Sequence, residues 1–118
     1  MHEPPIKISI IFPSHNREDV IGANLKSIKN LVNIKEIETI IIDNNSQDST
    51  KEIIKSFIKK NKDIKLTLVE KYENLGFSVS INLAAKLAKG KYIFITNDDV
   101  EFPKDFFQVL LKLYPKLT

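Results

Sequence analysis

Cysteine and glycine are the residue types that this sequence lacks or nearly lacks. The 118-residue chain contains no cysteine, which excludes a disulfide scaffold, a cysteine-ligated zinc site and thiol catalysis. It contains only three glycines and neither a G-x-x-x-x-G-K-[ST] nor a G-x-G-x-x-G motif, so no glycine-rich loop is available to hold phosphates. A bound phosphate group would therefore need a metal ion.

Long apolar runs and a strong net charge are also missing. No run approaches the roughly 20 apolar residues that span a bilayer, and residues 1–5 (MHEPP) lack the basic and apolar regions of a signal peptide. We therefore expect a cytoplasmic protein, at most peripheral to the cytoplasmic face of a membrane. The net charge is +3, and 17 of the 18 basic residues are lysine. Because nucleic-acid binders more often cluster arginines, we expect no nucleic-acid partner.

Short apolar runs alternate with amphipathic patterns along the chain. The runs at residues 7–12, 37–42, 65–69 and 91–96 predict four strands. Apolar spacings of three and four residues predict helices at 18–31, from the capping residues 46–50 to 60, at 77–89 and at 103–113. Gly90 is expected to end the third helix in the left-handed conformation, and Pro103 to occupy the first turn of the last helix.

This alternation predicts an α/β fold with a mostly parallel sheet. Three of the strands are almost entirely apolar, which is typical of strands buried on both faces. With right-handed crossovers, the elements form a doubly wound, Rossmann-like, three-layer α/β/α sandwich. The length and the 42% apolar content indicate a single domain over residues 1–118.

Polar residues gather directly after the predicted strands. In open parallel sheets, ligands bind beyond the carboxyl ends of the strands. The segments expected there are 13–17 (PSHNR), 43–48 (DNNSQD), 73–76 (ENLG) and 97–99 (NDD). The sequence therefore predicts a polar site at one edge of the sheet.

The acidic pair Asp98–Asp99 has two interpretations. Adjacent carboxylates at the end of a buried strand repel each other, and a divalent cation that also binds phosphate oxygens would relieve this repulsion. Alternatively, one of the two caps the last helix or is solvated in a loop. An acidic pair alone does not decide between these interpretations.

The other polar loop residues also have both a binding and a structural interpretation. Asp43 can accept a hydrogen bond from a nucleobase or a ribose, or it can form a turn with residues 44–45. The residues at 46–50 favour helix capping over catalysis. His15 either contacts a ligand or is a hydrogen-bonding loop residue.

Three segments and the spacing between them resemble the N-terminal half of an inverting family 2 glycosyltransferase of the GT-A fold. The segments are ISIIFPSHNRED, ETIIIDNNSQDST and NLGFSVSINLAAKLAKGKYIFITNDDV. The resemblance extends from about residue 6 to residue 107. It implies transfer of a sugar from a nucleotide diphosphate sugar to an acceptor hydroxyl, in the synthesis of cell-surface polysaccharides.

The resemblance also implies where the donor binds. In the family, the loop after the first strand holds the base and ribose, the acid after the second strand bonds the base, and the segment after the third strand borders the sugar nucleotide. The donor-binding residues implied here are Pro13, Ser14, His15, Asn16, Asp43, Asn74, Gly76, Asn82 and Asp98. The family's DxD-like motif corresponds to residues 97–99, with Asn97 in place of its first acid. Asp99 is expected to bind the divalent cation (Mn²⁺ or Mg²⁺), and Asp98 is the second choice.

No catalytic residue is named from the resemblance. Inversion requires a general base that deprotonates the acceptor, and in the family this base lies well beyond the DxD-like motif, in the acceptor-binding half. We expect that half to be absent, so the chain would be a fragment or a short homologue. Its apolar last helix then either covers the sheet or leaves a surface for self-association or a second chain.

Two other functions are open at this point. One is a catalytically silent module that binds or assembles around a nucleotide sugar, which turnover measurements would separate from an enzyme. The other is a magnesium-dependent phosphoryl-transfer domain that uses Asp98 and Asp99. That class normally has a nucleophilic Asp after the first strand, where this chain has Ser14-His15-Asn16. The expected partners are a UDP- or dTDP-linked sugar and an acceptor glycan or lipid-linked sugar.

Overall fold

Within the described residues, four strands and four α-helices alternate along the chain, as the sequence predicted, and a short 3-10 helix (Ile34–Glu36) precedes the second strand. The structure is a computed structural model that describes residues 5–117, with side chains up to residue 113. The expectation that the chain begins without a signal peptide was based on residues 1–5, and residues 1–4 lie outside the described residues. The elements are β1 (Ile8–Ser14), α1 (Ile21–Lys29), β2 (Ile37–Asn44), α2 (Thr50–Lys60), β3 (Lys65–Lys71), α3 (Phe77–Leu87), β4 (Tyr92–Ile95) and α4 (Phe106–Leu117). Between residues 5 and 117, no helix combines the length and apolar character needed to cross a membrane.

The strands form one parallel sheet in the order β3-β2-β1-β4. The chain proceeds outward from β1 to β3 and then crosses to the opposite side of β1 to form β4. This reversal makes the gap between β1 and β4 the topological switch point of the sheet. Ligands of doubly wound folds bind at such a point, outside the carboxyl ends of the strands.

Helices cover the sheet on both faces, which confirms the three-layer prediction. Ile10 and Phe12 of β1 pack with residues of α1, α2 and α4 in one hydrophobic cluster. Ile11, which points the opposite way because side chains alternate along a strand, packs with Ile81 and Ala84 of α3 in the other. β1 and β2 are buried almost throughout, whereas the edge strands β3 and β4 are more exposed. β1 and β2 are therefore the central, fully covered strands of the sheet.

β1 continues past Pro13, where the sequence predicted its end. Thr96 donates a backbone hydrogen bond to the Ile11 carbonyl, so the odd-numbered residues of β1 direct their backbone groups toward β4. Pro13 is on that side, but β4 has already ended at Ile95. Since no ladder bond is available there, the missing N–H of proline costs nothing, and β1 extends to pair Ser14 with Asp43.

The prediction that Gly90 ends α3 in the left-handed conformation is wrong. α3 ends at Leu87, Ala88 is extended, and Gly76 is the only glycine among the described residues with a positive φ. A Cβ atom on Gly90 would lie 2.6 Å from the Ser9 backbone nitrogen. Glycine is required there because the chain passes directly against β1.

Two helices begin later than predicted because tertiary hydrogen bonds hold their first turns. At the start of α1, the Glu18 carboxylate accepts from the Ser49 backbone N–H, and the helix begins at Ile21. Before α4, the Lys104 carbonyl accepts from the Val32 backbone N–H. Pro103 therefore lies in a turn, and α4 begins at Phe106.

The helix α4 packs on the sheet, which was one of its two predicted roles. Phe107 is completely buried, and its ring meets that of Phe94 on β4 edge to face, with 5.0 Å between centroids. Leu110 and Leu111 join the same cluster. The inward face of α4 is thus part of the main core.

Candidate functional site

Asp98 lies at the switch point and connects β4 to the loop that follows β1. Ser14 donates its hydroxyl to Asp98 Oδ2 at 2.9 Å, and the Arg17 guanidinium Nε lies 3.4 Å from Asp98 Oδ1. Asp98 is only 5% exposed, whereas the Arg17 side chain is about half exposed, at 47%. The buried carboxylate therefore has a hydrogen bond on one oxygen and a cation on the other.

Burial dominates the electrostatics of Asp98. Burial raises the pKa of the Asp98 carboxyl above its ordinary value, and the negative charge of Asp99 raises it further. The Ser14 hydrogen bond and the Arg17 charge offset part of this increase. An additional positive charge at this position would stabilise the ionised form.

A cavity of about 310 Å³ opens beside Asp98, within the size range of small-molecule sites. It is bordered by the loops after β1, β3 and β4, together with the end of β2 and the start of α3. The lining residues are Pro13, Ser14, His15, Arg17, Asn44, Asn74, Gly76, Phe77, Asn97 and Asp98. The structure thus brings together six of the predicted donor-binding residues: Pro13, Ser14, His15, Asn74, Gly76 and Asp98.

The other predicted donor-binding residues do not line this cavity. Asn82 is exposed on α3. Asn16 has a left-handed backbone with φ of 53°, and its side-chain oxygen accepts from the Gln47 N–H. Asp43 is completely buried, and its carboxylate accepts from both the backbone N–H and the hydroxyl of Ser46. In this structure Asp43 forms a turn, closed by Ser46 and not by the two asparagines between them.

The loops after β1 and β2 are joined by side chains that cap backbone groups. Asp48 accepts from the backbone N–H groups of Glu18 and Thr50 and from the Thr50 hydroxyl, which is the predicted capping role of this segment. Thr50 Oγ1 in turn accepts from the Arg17 N–H at 2.8 Å. Desolvation acts to raise the pKa of Asp48, but the bonds from Thr50 and Glu18 outweigh it and lower the pKa below its ordinary value.

Asn44 holds the third loop of the site against the first. His15 donates from Nδ1 to the Asn44 carbonyl at 2.6 Å, since a carbonyl can only accept. The Asn44 side chain donates to Ser80 Oγ at 2.8 Å, and Ser80 donates to the Gly76 carbonyl. Gly76, with φ of 79°, makes the turn that leads into α3. One residue at the end of β2 therefore positions both walls of the cavity.

The residues at this edge fit a divalent cation that the protein holds with few ligands. Asp99, the residue predicted to bind the cation, is exposed and follows the buried Asp98 in the chain, but it is not among the residues that line the cavity. Mg²⁺ is usually held by one or two carboxylates, with water and phosphate oxygens completing its coordination. Between residues 5 and 117, no three acidic or histidine side chains gather into a protein cage. The donor set matches a cation that is shared with a phosphorylated ligand.

The sequence placed Arg17 and Asn44 in the polar segments expected at this edge, but neither they nor Phe77 were predicted as donor-binding residues. Arg17 is the only arginine in a chain with 17 lysines, and arginine is the better residue for a fixed pair with a carboxylate. That single arginine was a usable signal. Asn44 and Phe77 gave none, because their positions depend on how the three loops meet.

The amino-acid sequence of this chain matches a known protein family and individual known proteins. The model of the family described as "Glycosyl transferase family 2" matches residues 9–117. A poly(ribitol-phosphate) beta-glucosyltransferase from Bacillus spizizenii is 38% identical over 97 residues, which is 80% of this chain and 15% of that protein. A GalNAc(5)-diNAcBac-PP-undecaprenol beta-1,3-glucosyltransferase from Campylobacter jejuni is 30% identical over 106 residues, which is 90% of this chain and 34% of the relative. The chain thus spans about a third or less of either relative.

Solved structures share the fold. The mannosyltransferase PcManGT from Pyrobaculum calidifontis, in complex with GDP-Man and Mn²⁺, superposes with a TM-score of 0.79 at 27% identity, over 86% of this chain and 32% of that one. TarS from S. aureus superposes with a TM-score of 0.84 at 24% identity, over 94% of this chain and 20% of that one. At that identity TarS supports the fold alone.

Proposed function

Because the chain belongs to glycosyl transferase family 2, we propose that it supplies the nucleotide-sugar donor site of an enzyme that transfers a sugar to an acceptor hydroxyl. The observation that carries the proposal is the cavity at the switch point, where residues of four loops and strand ends converge beside the buried Asp98. In an open α/β sheet this is the position at which nucleotides bind.

The nature of the ligand is supported by the contents of the cavity and by one relative. The cavity offers one cation, Arg17, and several neutral hydrogen-bonding groups, which suits a ligand with both a diphosphate and a nucleoside. PcManGT holds GDP-Man and Mn²⁺. We extend the class of ligand to this chain, a nucleotide diphosphate sugar, and test it with UDP, since UDP- and dTDP-linked donors were expected from the sequence.

The roles that we propose at the site follow burial and charge. Asp99, exposed and directly after Asp98 in the chain, would bind a divalent cation, and Asp98 would be its second carboxylate. When bound, such a cation stabilises the charge of a leaving diphosphate. Ser14 and Arg17 hold the Asp98 carboxylate in place, and Arg17 adds positive charge for phosphate oxygens. A contact between the buried Asp43 and a nucleobase stays a prediction, as do the roles of Asn16 and Asn82.

The acceptor, location and assembly are further proposals. One relative is named for poly(ribitol-phosphate) and another for an undecaprenol-linked glycan. We propose an acceptor of that kind, a cell-surface polymer or lipid-linked sugar, and a reaction at the cytoplasmic face of the membrane.

Self-association is proposed on the edge strand β4, where Ile93 and Ile95 are 46% and 52% exposed.

Titration of the chain with UDP, with and without Mn²⁺, tests the donor site. We expect Mn²⁺ to tighten the binding of UDP, and Asp99→Ala to remove that gain while leaving the metal-free affinity unchanged. The matched control is Asp105→Ala, which removes another exposed carboxylate outside the cavity and should behave like the wild type. Equal affinity of wild type and Asp99→Ala in Mn²⁺ would contradict the metal assignment.

A silent nucleotide-sugar module remains the second candidate, since the chain covers only part of its relatives. Incubation with a UDP-sugar distinguishes the enzyme from the silent module. Slow hydrolysis of the UDP-sugar is measured as the release of UDP. Release that depends on Mn²⁺ and Asp99 indicates an enzyme. Binding without release indicates a donor module that needs further protein to react.

A further inference from the structure

The helix α1 carries a fully buried asparagine on its otherwise apolar inner face. Asn24 is 0% exposed and lies among Ile21, Leu25 and Ile28, which are also completely buried. Its side-chain Oδ1 has no hydrogen-bond partner within the described part of the chain. A buried amide that is only half satisfied destabilises a core relative to an apolar side chain of similar size. Packing alone therefore gives no reason for asparagine at this position.

The other half of the Asn24 amide holds the segment that follows the acidic pair. Asn24 Nδ2 donates to the Val100 carbonyl at 2.7 Å. One turn further along α1, Ser27 Oγ accepts from the Phe102 N–H at 3.0 Å and donates to the Asn24 carbonyl. Two residues of α1 thus tie the backbone directly after Asp99.

These ties hold the backbone on the carboxyl side of Asp99, where the side chains of Val100 and Phe102 also pack in the main core. Before Asp99, the Asp98 carboxylate is held by Ser14 and Arg17. After it, the Val100 carbonyl is held by Asn24. Asp99 is exposed, so its backbone and not its packing determines where its carboxylate lies.

We propose that Asn24 is a positioning residue that fixes the loop of residues 98–102 so that Asp99 reaches a cation bound with the donor diphosphate. This inference rests on the proposed function of Asp99. The buried amide of Asn24 lowers the folding stability, and this role in fixing a functional loop gives a reason for its presence.

The test replaces Asn24 by leucine, which has the same branching and the same number of non-hydrogen side-chain atoms, is bulkier by its methyl groups, and carries no polar atoms. In Asn24→Leu we expect an unfolding midpoint equal to or above that of the wild type. The Phe102 amide should exchange with solvent at least about fivefold faster in the folded state, since the loop opens more often with one tie left. The Kd for UDP in Mn²⁺ should rise by about two- to tenfold, the equivalent of one lost hydrogen bond, because the backbone no longer holds Asp99 in the position that binds the cation. The metal-free Kd should stay unchanged.

The chain offers a matched control in Thr39→Val. Thr39 is 1% exposed, and its hydroxyl is also buried with no hydrogen-bond partner among the described residues, but it lies within β2, away from the loop. We expect this variant to keep the wild-type exchange rate and UDP affinity. Should Asn24→Leu fail to fold, Ser27→Ala removes the second tie from a less buried position and should weaken UDP binding in Mn²⁺ by a similar factor.

The outcomes separate this inference from the function on which it rests. Wild-type exchange at Phe102 in Asn24→Leu, or faster exchange with unchanged UDP affinity, overturns the role of Asn24. A wild-type chain that binds no UDP contradicts the proposed function instead, and amide exchange alone then decides whether Asn24 holds the loop. Weaker binding by Thr39→Val as well would show a general effect of core substitution and overturn the inference.

Discussion

Carboxylates at the carboxyl edge of the sheet differ in role because they differ in burial and in partners. Asp98 is buried, and its pKa is raised chiefly by desolvation. Asp43 is buried too, but both of its oxygens accept from Ser46. Asp48 accepts three hydrogen bonds at the start of α2. Asp99 is exposed and follows Asp98 directly in the chain, and this combination makes it the carboxylate that we propose for a cation.

Asp48 should contribute stability that depends on pH. Its pKa is lowered in the folded state, so its contribution is present above the unfolded value of about 3.8 and is lost as the pH falls through the lower folded value. We expect Asp48→Asn to reduce the free energy of unfolding at pH 7 by about 1 kcal/mol, because the amide has one acceptor oxygen in place of two and carries no charge, so that the bond from the Glu18 N–H is lost and those from Thr50 are weakened. Urea unfolding between pH 7 and pH 3 should show the difference shrinking. Asp63→Asn, at an exposed position, is the control, and a constant Asp48 difference across this range would contradict the assignment.

At the scale of the element, the strands and helices were predictable and several of their ends were not. Apolar periodicity depends on local sequence alone, so all eight elements were predicted in their order. The segments before α1 and α4 are held by bonds that the Ser49 N–H donates to Glu18 and the Val32 N–H donates to Lys104. The role of Gly90 depends on Ser9, 81 residues earlier in the chain. No local pattern carries that information.

Gly90 lies directly against β1, whereas Gly22 has open space around it. Substitution by alanine should therefore change the free energy of unfolding in opposite directions at the two positions. In Gly90→Ala, the new Cβ would lie 2.6 Å from both the backbone nitrogen and the Oγ of Ser9, so we expect a loss of about 1–3 kcal/mol in the free energy of unfolding. In Gly22→Ala, the Cβ meets nothing within 4 Å. Because alanine is the better helix former, this variant should gain up to about 1 kcal/mol. Chemical denaturation measures both, and a Gly90→Ala variant as stable as the wild type would show that β1 and the α3–β4 turn are further apart.

At the scale of the whole molecule, α4 completes the core that supports the site. Phe107 contacts Phe94, Phe102 and Phe106 in one aromatic cluster, and Phe102 follows the acidic loop. We expect Phe107→Ala to lower the free energy of unfolding by about 3–5 kcal/mol. Val109→Ala, at a position of α4 that is 46% exposed, should change it by less than about 0.5 kcal/mol. Equal, small effects of the two substitutions in thermal unfolding would mean that α4 does not pack on the sheet.

The location of the site was predictable from the topology, whereas its detailed lining was not. The carboxyl-end rule places the predicted loops at one edge of the sheet. The loops after β1 and β4 meet because these strands are neighbours, and the loop after β3 joins them at the start of α3, which leads across the sheet to β4. The resemblance could not indicate that Asp43 faces Ser46, or that Asn44 would join two loops. Those contacts arise from turns with left-handed asparagines at 16 and 45, which the sequence permits but does not require.

The most direct test of the donor site is a map of where UDP binds. Amide ¹H–¹⁵N chemical shifts would be recorded during titration of the folded chain with UDP in Mg²⁺. The account predicts that the largest changes fall on residues 14–17, 74–77 and 97–100, around the cavity beside Asp98. Changes centred elsewhere, such as the cleft between α1 and the segment of residues 101–104, or no changes at saturating UDP, would contradict it.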